Sequence, residues 1–566
     1  MTVGAQSTSM RTAAVFDVVQ VLCQERGIVA NLLDSNSASI LTVEIPGIKQ
    51  PWKLSVDCEY KGLELPTVYL APPRGLLPHV GYSGIVCVND GQGLSVDLDL
   101  PVDLAAHTLL AAYDMLEEWA ADEDTSKTEF FNELEGYWAG LPGAFRGHST
   151  FEVDGNDRLI SAYEDRKYKA PKWHFAERST QPREIDANKL QAQRGLYVHL
   201  DELPTTPAYP EQLTHDYVET LCAAFSPAQR ELWDAMVGPS NNGPKRCVLL
   251  VSVPRQAGGR SLVGAAFAVY KRKLERRARV VPLTARRQTA SHMRERGGAS
   301  LELLRKHVAV LGCGAVGSVV ADTLAAAGVG KLTLVDVDEY SEDNVFRHVL
   351  APVYIGFPKT LGLQHQLQTR YPGLTVESAA ITAQQWFNAT NLENIDGVVL
   401  AFGAPSIERS FARAFRKRNC QLPVVFTWLE ALDLGGHSVL MWAGKPGCLD
   451  CLYRDEEGSP SLHPRTSFLE PNQHVTRNLT GCASVFVPYG ALQARKTGLM
   501  AAEQMLSALA GDAPERTYSY WVGQGIQAQE RGLRMTPWWA TASTEAPFDA
   551  TARAFGPPCK RCRGGA

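Results

Sequence analysis

Three glycines and an aspartate give the first sign of chemistry. Gly312, Gly314 and Gly317 follow the apolar run 307–311 in G-x-G-x-x-G order. This pattern predicts a buried strand, a tight turn and a helix whose N-terminus faces phosphate. Asp336 lies 19 residues after Gly317, at the end of a second apolar run, where a carboxylate binds a ribose hydroxyl. NAD sites share this spacing, so the loop alone predicts a nucleotide without distinguishing NAD from ATP.

A polar cluster after Asp336 separates these two ligands. The pattern D-x-D-x(5)-N-x-x-R, with a lysine twelve residues further on, is completed by Asp338, Asn344, Arg347 and Lys359. A nicotinamide enzyme does not need this cluster. An enzyme that attacks the α-phosphate of ATP does, because fixed cations stabilise the negative charge that builds up on the transferred and leaving phosphates. The cluster therefore favours ATP as the cofactor.

The order of these residues resembles the adenylation domain of the ubiquitin-activating (E1-like) family, which includes the bacterial ThiF and MoeB types. The resemblance implies a Rossmann-like fold in which Asp336 binds the ribose of ATP. It also implies that the phosphates are bound by Asn344, Arg347 and Lys359. A homodimer through the adenylation domain is a further expectation, in which either Arg294 or Arg296 would reach the ATP of the partner protomer.

The sequence departs from the family at Ala404. The family places a magnesium-binding aspartate in the turn after the strand predicted at 397–402, and this chain has alanine there. Mg²⁺ would then be held mainly by ATP oxygens and waters, or by another acid nearby. A non-enzymatic scaffold that has lost magnesium chemistry is the corresponding alternative.

Four cysteines occur as two C-x-x-C pairs. The pairs are Cys448 with Cys451 and Cys559 with Cys562. Four thiolates are a ligand set for structural Zn²⁺, and the wide separation suits a clamp that holds the C-terminal tail against the adenylation domain. Activating enzymes of the ThiF and MoeB type have such a clamp. A redox C-x-x-C is the alternative, but it would explain one pair and not two.

The N-terminal region carries a separate cysteine motif. A helix, a meander of strands, a loop with Cys87 and a second helix are predicted up to about residue 121, an order that resembles the ubiquitin-conjugating (E2) fold. His79 lies eight residues before Cys87, where that family has an asparagine that stabilises an oxyanion. The resemblance implies that Cys87 is catalytic and that His79 donates a hydrogen bond or acts as a base. The alternative for Cys87 is a small buried apolar residue.

A further cysteine, Cys482, lies just before the helix predicted at 491–508. In the E1-like family a loop that crosses the nucleotide site carries the thioester cysteine before such a helix, so the resemblance implies this role for Cys482. Cys420 and Cys313 are competitors, although Cys313 lies inside the glycine loop, where packing explains it better.

Composition limits the possible classes of protein. A net charge of −5 gives no reason to expect nucleic acid as a partner. No signal peptide and no membrane-spanning segment is predicted. Twelve cysteines without a secretory signal indicate reduced thiols and a cytoplasmic protein.

These observations predict a multidomain α/β protein. We expect an E2-like α+β domain at 1–150, a small α/β linker domain at 151–300 and an E1-like adenylation domain with a zinc clamp at 301–566. The basic stretch 271–296 is predicted to be a solvated helix and connector.

The whole resembles bacterial conjugating–activating fusions of CBASS antiviral operons. The resemblance implies that the C-terminus of a partner, a cGAS-like nucleotidyltransferase or a ubiquitin-like protein, is adenylated. It is then passed through Cys482 and Cys87 and coupled to a target in antiphage defence. The alternative is an enzyme that activates a sulfur carrier of the ThiS or MoaD kind, with the N-terminal domain as a docking module only.

Overall fold

The computed structural model describes residues 10–33, 37–60, 62–71, 77–89, 93–167, 172–178, 190–207, 214–239, 243–418, 420–455, 457–478, 485–557 and 559–563. Contacts between residues divide the chain into two compact units, Met1–Thr289 and Ala290–Ala566. No helix in the described part of the chain is long and apolar enough to cross a membrane.

The first unit begins with two helices and an antiparallel sheet. Helix α1 spans Met10–Gln24 and α2 spans Pro101–Ala121. The strands pair in chain order and are β1 (Asn31–Leu33), β2 (Ile40–Ile45), β3 (Trp52–Asp57), β4 (Val68–Leu70) and β5 (Ile85–Val86). Every second residue of β3 is buried, on the face that packs with α1 and α2. The element order predicted from the sequence is therefore found.

A closed β-barrel follows, preceded by α3 (Glu123–Asn132) and α4 (Leu134–Gly140). Its elements are β6 (Phe145–Ser149), β7 (Arg158–Asp165), β8 (Lys172–Glu177), β9 (Gln193–His199), α5 (His215–Ala223), α6 (Pro227–Val237), β10 (Lys245–Pro254), β11 (Arg260–Tyr270), β12 (Lys273–Leu274) and β13 (Val281–Arg287). The strand order is β10-β9-β7-β8-β6-β13-β11, and β11 pairs back onto β10. This last pairing closes the ring.

Alternation along the barrel strands separates two apolar clusters. Trp173, Phe175 and Leu250 belong to a cluster to which strands all around the ring contribute, so it fills the interior. Their neighbours along the strands, such as Leu249, pack outside against α3 to α6. The prediction of a solvated helix and connector at 271–296 is wrong for the part at Val281–Arg287, which forms a strand with Pro282, Leu283 and Ala285 buried.

The second unit is a doubly wound α/β domain. Its strands are β14 (His307–Leu311), β15 (Lys331–Val335), β16 (Thr375–Ala379), β17 (Gly397–Leu400), β18 (Pro423–Leu429), β19 (Gly435–Trp442), β20 (Arg477–Asn478), β21 (Val485–Phe486) and β22 (Arg516–Val522). Its helices are α7 (Ala290–Arg296), α8 (Ala315–Ala327), α9 (Lys359–Arg370), α10 (Ala383–Ala389), α11 (Pro405–Lys417), α12 (Ala491–Ala510), α13 (Ile526–Glu530), α14 (Pro537–Ala542), α15 (Pro547–Phe555) and α16 (Lys560–Arg563).

The main sheet of this unit has the order β16-β15-β14-β17-β18-β19-β22. The first five strands are parallel, β19 runs antiparallel to β18, and β22 runs antiparallel to β19. All five residues of β14 are buried, as expected for a parallel strand covered on both faces. The strand order reverses between β14 and β17, which places a ligand crevice at their carboxyl ends.

Candidate active site

A cleft of about 540 Å³ opens at the carboxyl ends of β14, β15 and β17. Five residues predicted from the sequence to bind nucleotide line it, namely Gly312, Gly314, Asp336, Asp338 and Lys359. The remaining walls come from residues 381–384, from 401–402 after β17 and from the first turns of α11. The structure thus brings residues from separate loops to one site.

The three glycines of the loop have different surroundings, which explain why each position lacks a side chain. Gly312 has a φ of +88°, and a Cβ there would lie 2.9 Å from the carbonyl oxygen of Ala401. A Cβ on Gly317 would lie 1.8 Å from the carbonyl oxygen of Gly312, so the first turn of α8 can approach the loop only without a side chain. A Cβ on Gly314 would meet nothing within 4 Å. Gly314 is the N-cap of α8, so a phosphate has room at that helix end.

Asp336 joins the glycine loop to the turn after β15. Its Oδ2 accepts a hydrogen bond from the Cys313 amide at 2.6 Å, and its Oδ1 accepts one from the Asp338 amide at 2.8 Å. The carboxylate is therefore oriented by main-chain donors on both sides. Its contact with a ribose stays a prediction.

Lys359 is a nearly buried cation at the same cleft. Its side chain is 9% exposed, and its Nζ lies 2.8 Å from Asp338 Oδ2. A buried ammonium without a partner is costly, so Asp338 supplies the counter-charge in this conformation. An anionic ligand in the cleft would compete with Asp338 for this lysine.

Asn344 and Arg347 do not line the cleft. The Oδ1 of Asn344 accepts hydrogen bonds from the amide and the hydroxyl of Ser341, both at 3.3 Å. The guanidinium of Arg347 lies 4.9 Å from the ring centroid of Tyr489. The structure does not bring these two side chains together with Lys359, and their phosphate contacts stay predictions.

His348 fixes the glycine loop from the neighbouring segment, a role that sequence reasoning missed. Its Nδ1 accepts the Leu350 amide at 3.1 Å, and its Nε2 lies 2.8 Å from the Cys313 carbonyl oxygen. Burial lowers the pKa of His348 to about 4, so the ring is neutral and Nε2 carries the proton that it donates. A single histidine in a loop has no periodic signal, and only the fold reveals this contact.

The turn after β17 has a buried carboxylate that does not reach the cleft. Ala404 is the N-cap of α11, and Glu408 lies one turn further along with 2% of its surface exposed. The Glu408 carboxylate accepts the Gly403 amide at 3.0 Å, and burial raises its pKa to about 7. Among the described residues lining the cleft, only Asp336 and Asp338 are acidic. The carboxylate missing at Ala404 is therefore not replaced by Glu408.

The four paired cysteines meet in one buried cluster of the second unit. The Sγ–Sγ distances are 3.7 Å for Cys448 to Cys559, 3.5 Å for Cys451 to Cys562 and 3.6 Å within the second pair. A tetrahedral Zn²⁺ with Zn–S bonds of about 2.3 Å requires sulfur atoms about 3.8 Å apart. The tetrad therefore fits a zinc ion in both ligand type and spacing.

Asp450, between the first two cysteines, connects the tetrad to α11. Its side chain is 6% exposed and accepts hydrogen bonds from Arg409 at 2.9 Å and from Arg413 at 2.7 Å. Burial alone would raise the pKa of Asp450, but the hydrogen bonds from these arginines lower it to about 2. The carboxylate is thus a stable anion that anchors α11, whose first turns line the cleft.

In the first unit, Cys87 lies in the loop after β5. It is the exposed cysteine among the described residues, and its thiol donates to the Asn89 carbonyl oxygen at 3.4 Å. Its amide donates to the His79 carbonyl oxygen at 2.7 Å. The ring of His79 faces Glu129 and Glu133 from the following segment. The exposure favours a reactive thiol over a buried apolar residue.

The other candidate cysteines differ in what the structure describes. Cys482 falls in residues 479–484, outside the described residues. Burial raises the pKa of Cys313 well above its usual value and also raises the pKa of Cys420. Both environments disfavour the thiolate that a nucleophile needs.

Of the two arginines proposed to act across a dimer, Arg294 is buried. Its Nη1 donates to the Gly328 carbonyl oxygen at 2.6 Å, at the carboxyl end of α8. This cation complements the helix dipole within its own protomer. Arg296 is exposed, and its contact with a partner protomer stays a prediction.

Comparison with known proteins shows which family the second unit resembles. The model of the ThiF family matches residues 285–535. The uncharacterized protein y4oA of Sinorhizobium fredii is 28% identical over 304 residues, which cover 51% of this chain and 49% of that protein. The matched part of the chain thus spans about half the length of that relative. The resemblance inferred from the glycine loop and Asp336 is confirmed for the C-terminal half.

A second relative extends the match to the N-terminal half. The ATP-dependent ubiquitin transferase-like protein Cap2 of Pseudomonas aeruginosa is 21% identical over 491 residues, which cover 81% of this chain and 84% of that protein. Among solved structures, a crystal structure of E. coli MccB with ATP has a TM-score of 0.29 and 16% identity, covering 46% of this chain and 68% of MccB.

Proposed function

Because the chain carries an E1-like, ThiF-family domain in its C-terminal half and has Cap2 homologues over 81% of its length, we propose that it is an ATP-dependent, ubiquitin-like transferase. It adenylates the C-terminal carboxylate of a partner protein and couples that carboxylate to an amine on a target. The partner is a cGAS-like nucleotidyltransferase or a ubiquitin-like protein, and the setting is antiphage defence in the cytoplasm.

The observation that carries the proposal is the cleft at β14 and β17. A glycine loop open to phosphate at Gly314, a carboxylate fixed by two amides at Asp336 and a nearly buried cation at Lys359 converge there. Lys359 exchanges Asp338 for phosphate when ATP binds. Asp336 and Asp338 are the carboxylates lining the described cleft that could help to hold Mg²⁺ brought in with ATP.

The first step forms a mixed anhydride. An oxygen of the partner's carboxylate attacks the α-phosphorus of ATP, the bond to the bridging oxygen breaks, and pyrophosphate leaves with its electron pair. The acyl-adenylate keeps the carboxyl group activated. The fixed cation at Lys359 and the N-terminus of α8 stabilise the charge on the phosphates.

Two thioesters then carry the acyl group. The Cys482 thiolate attacks the acyl carbon and displaces AMP, and the Cys87 thiolate takes the acyl group by exchange, which returns Cys482 as a thiolate. An amine of the target attacks the Cys87 thioester, loses a proton and releases the thiolate. Exposure of Cys87 supports its role as the donor to a large acceptor.

Zinc has a structural role in this proposal. Cys448, Cys451, Cys559 and Cys562 would hold the ion, which would fix the C-terminal residues near α11. A closed tetrahedral set of four thiolates leaves no open position for a substrate.

Equilibrium binding of ATP and of NAD to the full chain, followed by calorimetry, tests the nucleotide assignment. Asp336→Ala and Lys359→Ala should each weaken ATP binding about tenfold or more, the loss of one charged interaction. Lys331→Ala is the matched lysine control, because Lys331 pairs with Glu377 at the opposite end of β15. Exposed Asp512 supplies the matched aspartate control. Tight binding of NAD without ATP binding would contradict the proposal.

A further inference from the structure

His79 sets the position of the Cys87 loop. Its φ is +62°, in the left-handed region. This backbone conformation is unfavourable for a residue with a side chain, so surrounding contacts must offset its cost in free energy. Its carbonyl oxygen accepts the Cys87 amide at 2.7 Å. The main chain at Cys87 therefore depends directly on His79.

Three side chains beyond α2 hold His79 in turn. Its Nε2 lies 3.3 Å from Glu129 Oε1, and its Nδ1 lies 3.3 Å from Glu133 Oε2. The Tyr137 hydroxyl oxygen accepts the His79 amide at 2.5 Å and donates to Glu133 Oε2 at 3.2 Å. These contacts involve both the ring and the main chain of one residue.

The two carboxylates approach different nitrogens of the His79 ring. Glu129 Oε1 faces Nε2 and Glu133 Oε2 faces Nδ1, so acidic side chains hold the ring from both sides. The same three residues also bring ligand atoms close enough together to hold a metal ion, so the test below includes that outcome.

We propose that Glu129, Glu133 and Tyr137 are positioning residues for Cys87, acting through His79. The proposal rests on the function above, in which Cys87 accepts the acyl group. Helices α3 and α4, which carry these residues, pack against the barrel through apolar side chains such as Trp138. The barrel therefore supports the Cys87 loop through α3 and α4. These two helices are part of the conjugating site.

Amide hydrogen exchange of the full chain, read by mass spectrometry over residues 77–89, tests the proposal without a partner protein. In Glu129→Gln/Glu133→Gln, exchange of this segment should rise about fivefold to tenfold, because the His79 ring loses both of its carboxylate contacts. Exchange of β2 and β3 should not change. Glu118→Gln, an exposed change on α2, is the matched control and should leave the loop as in the wild type.

The variant His79→Asn tests the contribution of the ring separately from that of the main-chain conformation. Asparagine tolerates a positive φ but lacks the ring whose two nitrogens face Glu129 and Glu133, so loop exchange should rise as in the double variant. Protection equal to the wild type in either variant would overturn the proposal. So would loss of one bound metal ion from Glu129→Gln/Glu133→Gln by elemental analysis, since that would make the cluster a metal site.

Single-turnover discharge of an acyl group from Cys87 to free lysine connects positioning to chemistry. The double variant should discharge more slowly at saturating lysine, with an unchanged KM for lysine, because the nucleophile site is untouched. If no acyl group ever loads on Cys87 in the wild type, the proposed function fails, whereas the exchange experiment still decides the positioning role. An unchanged discharge rate with raised loop exchange would overturn the link to Cys87 chemistry.

Discussion

Asp450 Oδ2 lies 2.8 Å from the guanidinium Nη1 of Arg561, although 111 residues separate the two in the chain. Asp450 lies inside the first C-x-x-C pair and Arg561 inside the second. The two pairs are thus joined by an ion pair as well as by their sulfur atoms. The ion pair can hold the C-terminal segment near α11 even before a metal binds.

Asp450→Asn should destabilise the second unit by about 2 kcal/mol, because it removes a buried anion hydrogen-bonded to three arginines. The arginines are partly exposed, which keeps the loss below that of a fully buried pair. Chemical denaturation followed by tryptophan fluorescence measures the change. Asp455→Asn, in the exposed segment nearby, is the control, and equal destabilisation by both would show that Asp450 has no special role.

Metal content provides the second prediction. Elemental analysis of the purified chain should give about one Zn²⁺ per chain, and Cys448→Ser and Cys559→Ser should each lose it. Cys420→Ser, a half-buried cysteine outside the tetrad, should keep it. A metal-free wild-type chain that unfolds at the same temperature with and without a chelator would remove the zinc assignment.

The two thioester cysteines should act in series. Cys482→Ala should still exchange labelled pyrophosphate into ATP in the presence of a candidate partner, yet form no thioester at either site. Cys87→Ala should keep a thioester at Cys482 that a reducing agent cleaves, and give no conjugate. Intact-protein mass spectrometry detects each adduct, with Cys420→Ala as the control.

Cys87→Lys extends this test, because a lysine at a conjugating site should trap the acyl group as a stable amide. Conjugation by Cys87→Ala at the normal rate would mean that the N-terminal region only docks the partner. The activation of a sulfur carrier would then explain the ATP site better.

The pH dependence of stability provides the fourth prediction, at Glu408. Its pKa of about 7 in the fold exceeds the value of about 4.5 in the unfolded chain, so the folded state binds more protons between these values. The free energy of unfolding therefore falls as the pH rises from about 4.5 to 7, by at most about 3 kcal/mol. Glu408→Gln keeps an acceptor for the Gly403 amide and removes the charge.

The Glu408→Gln variant should melt a few degrees above the wild type at pH 8 and close to it at pH 5. Scanning calorimetry at both pH values measures the difference. Glu503→Gln, on the exposed face of α12, is the control. An equal shift at both pH values would show that packing, and not the buried charge, is responsible.

Local patterns predicted the strands and the helix around the cleft well. The apolar strand β14, the spacing from Gly312 to Gly317 and the position of Asp336 each depend on residues close in sequence, and the structure confirms the elements they predict. The contacts of His348 and Glu408 were missed. Both depend on which loops the fold brings together, and neither residue type has a periodic signal.

The barrel was missed for a related reason. The parallel pairing of Phe145 with Leu283 joins strands more than a hundred residues apart, and no local signal shows which strand will be the neighbour. The arginines at the end of β13 also hid this strand, because the basic charge at 271–296 suggested a solvated helix. The fold of the barrel depends on which distant strands pair with each other, and residue types alone do not show this.

The closed barrel also limits how this gene can be cut and rejoined. The first strand of the barrel, β6, pairs with its last strand, β13. A chain that ends anywhere between these two strands therefore leaves at least one strand without its neighbour. A truncation within 145–287 would expose strand edges that invite aggregation. Natural shuffling of this half of the protein should therefore have left the whole stretch intact, so that recombination joints fall before Phe145 or after Arg287.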